Sequence, residues 1–241
     1  MDYFSGEILC IDKPEGWTSF DAVNRVRGAL KRRLGVSRLK VGHAGTLDPL
    51  ATGVILICTG RATKRIEELQ AGRKEYEAEI ALGATTPSFD LETEIDATYP
   101  TTHITREAVE EALARFTGTI FQVPPAFSAC KINGVRAYES ARAGEEVELK
   151  ARPVEIHAIE LLEFSPEAIR VRVECGKGTY IRALARDIGA ALGSGAHLTR
   201  LRRTRVGDYG IADCVSVKQA AEIIAAAPIE YPDWYEGKRK A

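Results

Sequence analysis

Gly42-His43-Ala44-Gly45-Thr46-Leu47-Asp48-Pro49-Leu50-Ala51-Thr52-Gly53 places one carboxylate, Asp48, in a run of small and turn-forming residues. A histidine stands five positions before it, and no second acid lies within the stretch. Glycine permits positive φ and close approach of another group. Pro49 restricts its own φ and biases Asp48 toward an extended backbone. An isolated Asp-Pro pair reads as an ordinary turn. The full string reads as a loop that holds a single acid beside something that must come close.

Moving outward, Val54 to Cys58 is the longest strongly apolar run and reads as a buried strand. Glu7 to Ile11 reads as a short strand, and Ala62 to Leu69 as a helix. Thr18-x-x-Asp21 is a capping box. Val23, Val26, Leu30 and Leu34 follow it at helical spacing. Tyr76, Ala78, Ile80 and Leu82 alternate with Glu75, Glu77, Glu79 and Ala81, the period of a strand with one core face. Ile169, Val171, Val173 and Cys175 alternate with Arg170, Arg172 and Glu174 in the same way. Ala108 to Phe116 and Ile181 to Leu192 mark helices, and Ser216-x-x-Gln219 caps a last one. Strands and helices mix without regular βαβ alternation, which predicts an α+β fold with a mixed or antiparallel sheet.

Composition bounds the class. The chain has 241 residues, 45% apolar and 28% charged, with a net charge of −1. These values suit a soluble globular protein of one sizeable domain. No apolar run approaches the roughly 20 residues of a membrane helix, and the N-terminus lacks the pattern of a signal peptide. The five cysteines are scattered, with no CxxC pair, and several sit in apolar or strand-like runs that suggest buried inert thiols. A reducing, cytoplasmic location is expected. The four histidines are too dispersed for a metal site.

Charge is unevenly spread. Arg25, Arg27, Lys31, Arg32, Arg33, Arg38 and Lys40 form one basic stretch, and Arg200, Arg202, Arg203 and Arg205 a second. Acids concentrate at Asp90 to Asp96 and Glu139 to Glu148. Either basic stretch alone reads as a solvated face. Two of them beside candidate site motifs predict a surface that contacts phosphates.

The opening string resembles the GHxGTLDPxATG signature of the TruB family, the tRNA pseudouridine-55 synthases. Asp12-Lys13-Pro14-Glu15-Gly16-Trp17-Thr18-Ser19 is similar to its DKPxGxTS motif. Pro124 to Gly134 is similar to PPxxSAxKxxG, continued by Arg136, Tyr138, Glu139 and Arg142. Lys177 to Arg182 is similar to KGTYIR. Four ordered motifs cover the chain from about residue 7 to about 217.

The resemblance implies a central, largely antiparallel mixed sheet with flanking helices and an active-site cleft. It implies one catalytic domain over 1–227, with an inserted thumb at about 124–152. Residues 228–241 then form a short tail, too small for the RNA-binding PUA domain that many bacterial members carry. Its Lys238-Arg239-Lys240 reads as a disordered basic tail or a phosphate contact.

The implied reaction isomerises uridine to pseudouridine in the T-arm loop of tRNA. It needs no redox cofactor, phosphate donor or metal, in keeping with the absence of a P-loop or Rossmann fingerprint. The resemblance makes Asp48 the catalytic carboxylate. Addition to the base, attack at C1′ and removal of the C2′ proton all stay open, and all require it ionised. Arg182 is placed beside it, where a guanidinium lowers a carboxylate pKa by about 1–3 units. Tyr76 is assigned to stack on the flipped base.

Substrate contacts are implied for Lys13, His43, Gly45, Lys131, Tyr180 and Leu201. Lys13 supports the site loop, His43 braces the space left by flipping, and Lys131 reaches RNA from the base of the thumb. Phe127 stands where the family often has tyrosine, so any hydroxyl bond there is lost. The expected partner is tRNA, acted on by a monomer. An RNA-guided synthase inside a protein–RNA particle and a noncatalytic RNA-binding or RNA-folding protein are the alternatives. The first is disfavoured by the lack of long extensions. The second is disfavoured by Asp48, Tyr76 and Arg182 occurring together.

Overall fold

A computed structural model describes residues 2–128, 131–132, 135–136 and 149–230. Residues 131–132 and 135–136 are described as backbone strands only. Most of the expected thumb, including Cys130, Tyr138, Glu139, Arg142 and the side chain of Lys131, lies outside the described residues, as does the basic tail.

The chain opens with strand β1 (Ile8–Lys13), helix α1 (Ser19–Leu34), β2 (Val41–His43) and β3 (Thr52–Thr59). A 3-10 turn over Gly60–Arg65 leads into α2 (Ile66–Ala71), where the sequence predicts one continuous helix. Next come β4 (Lys74–Leu82), the short pair β5 (Ala84–Thr85) and β6 (Ala97–Thr98), and α3 (Arg106–Arg115). The strands β7 (Gly118–Gln122), β8 (Lys131–Ile132) and β9 (Val135–Arg136) follow. Then β10 (Arg152–Phe164) and β11 (Ala168–Cys175) precede α4 (Ile181–Ala191). The chain continues with β12 (Ala196–Val206), β13 (Tyr209–Gly210), β14 (Val215–Ser216) and α5 (Val217–Ala226). The fold is α+β, as expected. Its strand pairs are mostly antiparallel, with parallel pairs at β1–β14 and β3–β12. Among the described residues no helix is long and apolar enough to cross a membrane.

Two compact units divide the chain: residues 1–74 with 202–241, and residues 75–201. In the first, β3 lies between β1 and the end of β12, with β14 outside β1. Its apolar run is explained by burial on both faces. Ile55 and Ile57 pack with Val23, Val26 and Leu30 of α1 and with Val217 and Ile224 of α5. Val54 and Leu56 pack on the other face with Ala44 and Val206. Each of the Val, Leu and Ile side chains among them contributes roughly 1.5–3 kcal/mol by leaving water. The capping box at Thr18 is closed from both sides, so α1 starts at the predicted place. Gly35 ends it in the left-handed region. Ser216 and Gln219 close the box of α5.

In the second unit, β4 buries Tyr76, Ala78, Ile80 and Leu82, following the alternation in the sequence. β11 buries Ile169, Val171, Val173 and Cys175. Its outward arginines meet β10, Arg170 with Glu163 at 2.6 Å and Arg172 with Glu160 at 2.7 Å. Val109, Ala112 and Leu113 of α3 and Ile181, Leu184 and Ile188 of α4 complete the apolar positions.

Candidate active site

Asp48 lies in the loop between β2 and β3, and both of its neighbours are fixed. The Ser19 hydroxyl, buried at the start of α1, donates to the Leu47 carbonyl at 3.0 Å and accepts the Leu47 N–H at 2.8 Å. On the other side, the Gly16 N–H donates to the Pro49 carbonyl at 2.9 Å. Lys13 Nζ donates to the same carbonyl at 3.2 Å, to Trp17 at 2.6 Å and to Pro14 at 2.9 Å. The Asp-Lys-Pro segment is thereby tied to the Asp48 loop through one ammonium. A three-donor head on a long stem can span three carbonyls in this way.

Lys13 is 0% exposed. Burial pulls its pKa down to about 8, against the attraction of Asp48, while the like charge of Arg203 adds to the depression. Between about pH 8 and 10.5 the unfolded chain holds a proton on this group that the folded chain does not. Raising the pH through that window therefore favours the fold. The stability of the wild type relative to Lys13→Met should rise across it by up to about 3 kcal/mol, read from urea midpoints at several pH values. A difference that stays flat or falls would contradict a buried, mainly desolvated ammonium.

The sequence expectation for Arg203 needs correction. It is not a phosphate-facing member of a basic row but is 1% exposed, and it holds the same loop from below. Its guanidinium donates to the carbonyls of Val54 at 2.7 Å, Gly45 at 3.2 Å and Thr46 at 3.4 Å. β12 brings it there by pairing in parallel with β3, Arg203 opposite Gly53. At Gly53 the two backbones come so close that a Cβ would lie 2.1 Å from the Arg203 carbonyl oxygen, and φ is +102°. Only glycine fits. Gly45, with φ +96°, supplies one of the accepting carbonyls. Nor are the neighbouring arginines a free row: Arg202 pairs with Asp12 at 2.8 Å and Arg200 with Glu79 at 3.5 Å.

His43, on β2, is half-buried, and burial holds its imidazole below the ordinary value against a smaller opposing hydrogen bond to Gly45. Lys13, His43, Gly45 and Asp48 thus belong to the first unit. The others that the sequence singles out, Tyr76, Lys131, Tyr180, Arg182 and Leu201, belong to the second.

Tyr76 occupies an inward position of β4 and is buried. Tyr180 precedes α4, and its N–H donates to the Gln122 side chain at 2.9 Å. Leu201, on β12, is half-buried. Arg182, buried in the first turn of α4, donates to the Ser88 carbonyl at 3.1 Å and the Phe127 carbonyl at 2.9 Å. The backbone of the Phe127 position is thus bound whatever its ring carries. Arg182 Nε also stands 3.6 Å from the Asp90 carboxylate.

Asp90 is a residue that sequence reasoning missed. It opens the acidic run Asp90 to Asp96, which the sequence assigns to no site, yet it is buried. Phe89 beside it has φ +62°, uncommon for a bulky residue. Its amide and carbonyl bond Thr86 and Leu198, and Arg186 lies over its ring at 4.8 Å. That strained turn aims the Ser88 carbonyl and the Asp90 carboxylate at one guanidinium.

Among the described residues no group of three or more His, Cys, Asp or Glu is arranged to hold a metal ion. What the first unit does provide is a carboxylate on a loop fixed by backbone hydrogen bonds and by two buried cations. Such preorganisation suits a reaction in which one acid must act at a defined position.

Comparison with known proteins gives a consistent result. Residues 31–181 match the family model described as TruB family pseudouridylate synthase (N terminal domain). Residues 182–230 match that of the tRNA pseudouridylate synthase B C-terminal domain. A Phocaeicola vulgatus protein named tRNA pseudouridine synthase B is 64% identical over 95% of this chain and 98% of its own length. The Flavobacterium johnsoniae protein of that name is 52% identical over 90% of this chain and 95% of its own.

Among solved structures, a Cbf5–Nop10–Gar1 complex contains a chain matched with a TM-score of 0.68 at 28% identity. The archaeal box H/ACA sRNP Nop10–Cbf5 complex gives 0.64 at 28%. The chain covers 55% and 54% of those two structural relatives, about half their length.

Proposed function

The chain belongs to the TruB family of pseudouridylate synthases, and from that premise we propose that it isomerises uridine to pseudouridine at position 55, in the T-arm loop of tRNA. It is an isomerase, and Asp48 is the acting carboxylate in this reading. The observation that carries the assignment is the fixed loop. Leu47, Pro49, Gly45 and Thr46 are all held through backbone groups around that one acid.

Tyr76 serves the flipped uracil as a stacking surface, which offsets part of the cost of unstacking it. Arg182, oriented by Asp90 and two carbonyls, is a cation whose direction is set before substrate arrives. The thumb and Lys131 contact RNA. The protein works as a monomer in the cytoplasm, without a cofactor.

Similarity favours a stand-alone enzyme over an RNA-guided one. A curated relative named tRNA pseudouridine synthase B reaches 64% identity, whereas the matched chains of the two H/ACA-type complexes stand at 28%. The test incubates unmodified tRNA transcript with the pure protein and maps pseudouridine. Conversion at position 55 is expected, without guide RNA or added protein. No product, or product elsewhere, would overturn the reading.

RNA affinity is expected to fall steeply with salt. In the first basic stretch, Arg33 is already committed, donating to the Ala227 carbonyl at 2.9 Å and tying the ends of α1 and α5 together. Lys31 and Arg32 are the residues to neutralise. Their double alanine variant should reduce the slope of log K against log salt by about 1.5. The loss should not depend on base identity, because phosphate contacts position RNA without reading sequence. Parallel slopes in two folded proteins would assign these charges to a solvated helix face.

A further inference from the structure

Several cysteines read from the sequence as buried inert thiols, and for Cys58 and Cys175 burial agrees. Cys10 and Cys214 differ. Their sulfurs approach to 2.8 Å, although 204 residues separate them. The parallel pairing of β1 with β14 brings this about. Ile11 stands opposite Val215, so Cys10 on β1 and Cys214, immediately before β14, stand one step earlier. Strands in a sheet lie about 4.7–4.9 Å apart, within the Cα separation of about 4.4–6.8 Å that a disulfide requires. Both thiols are half-buried rather than enclosed. Both pack against the core cluster of Ala44, Val54, Leu56 and Val206, and each sulfur is within 4 Å of the Gly210 carbonyl.

We propose that Cys10 and Cys214 form an oxidation site that a peroxide-class oxidant closes into a disulfide, clamping β14 and α5 onto the strand that ends in Lys13. The Cys10 sulfur, as thiolate, attacks one peroxide oxygen. An S–O bond forms, the O–O bond breaks, and the departing hydroxide takes up a proton to leave as water. The Cys214 sulfur then attacks the resulting sulfenic sulfur and gives up its proton. The S–S bond forms, the S–O bond breaks, and a second water leaves. Two thiols and one peroxide become one disulfide and two waters, and reducing thiol reverses the change.

The order of attack has a physical basis. The contact between the two sulfurs lowers the Cys10 pKa and raises that of Cys214. The site is independent of the isomerase assignment.

The experiment treats the full-length reduced protein with a few equivalents of hydrogen peroxide, alkylates the remaining thiols and maps peptides without reduction. The expected product joins the Cys10 peptide to the Cys214 peptide with loss of two hydrogens, is undone by dithiothreitol and melts several degrees higher than the reduced protein. In Cys214→Ser, oxidation should stop at a sulfenic acid on Cys10 that dimedone traps. Separate alkylation of Cys10 and Cys214 after oxidation, or linkage of either to another cysteine, would overturn the site. A link that leaves the melting temperature unchanged would overturn the clamp. The mapping uses wild-type protein, so it stands even if a serine variant fails to fold.

Discussion

Asp48→Asn is expected to lower single-turnover pseudouridine formation by about 10³-fold or more, with tRNA affinity changed by no more than about threefold. The substitution keeps volume and removes the charge. Each of the three chemical routes uses that charge, whether Asp48 adds to the base, attacks C1′ or takes a proton. The backbone bonds that hold the loop run from Ser19 to Leu47 and from Gly16 and Lys13 to Pro49. They do not pass through the Asp48 carboxylate. The loop should therefore keep its place, and affinity for tRNA should rest on surfaces elsewhere. Single-turnover rates, filter binding and a melting curve on the same preparation separate the cases. A rate near wild type would remove Asp48 from the chemistry. Equal loss of rate and affinity would make it a docking residue.

The second large effect is expected at Arg203. Arg203→Met should cost about 3 kcal/mol of stability, because three carbonyls lose their donors. It should also lower the single-turnover rate by about 10²-fold at a temperature where the variant is still folded, since small displacements of a catalytic group are that costly. Arg203→Lys should rescue little. A guanidinium reaches Val54, Thr46 and Gly45 through separate nitrogens in a rigid fork, which a point ammonium does not reproduce. Urea midpoints give the first effect and rapid-quench assays the second. Rescue by lysine, or a full rate in a destabilised protein, would reduce Arg203 to a generic core residue.

Arg203 also marks the boundary of what the sequence makes legible. The capping boxes at Thr18 and Ser216 were readable because donor and acceptor stand three residues apart. The strands β4 and β11 were readable because one face alternates. Lys13 and Asp48 were readable as motif members. Arg203 was not, because its burial depends on carbonyls about 150 residues earlier, brought within reach by a parallel strand pair. Locally it is one arginine among several on a strand of mixed exposure. Asp90 was hidden similarly, since its partner Arg182 arrives on a helix far along the chain. Cys10 and Cys214 look isolated until β1 and β14 are paired.

The discontinuity of the first unit sets an order of events during synthesis. Its N-terminal part, residues 1–74, leaves the ribosome before the second unit, and its remaining part begins only at residue 202. At about 5–20 residues per second, the intervening stretch takes roughly ten seconds to make. Throughout that time the Asp48 loop has Ser19 and Lys13 but not Arg203, and β3 lacks one neighbouring strand. An N-terminal fragment should therefore fold poorly and be inactive, however complete its motifs. Ribosome-bound chains should gain protease resistance across residues 42–53 only after β12 has emerged. The enzyme is finished from its far end, so a prematurely terminated chain carries the signature without the isomerase.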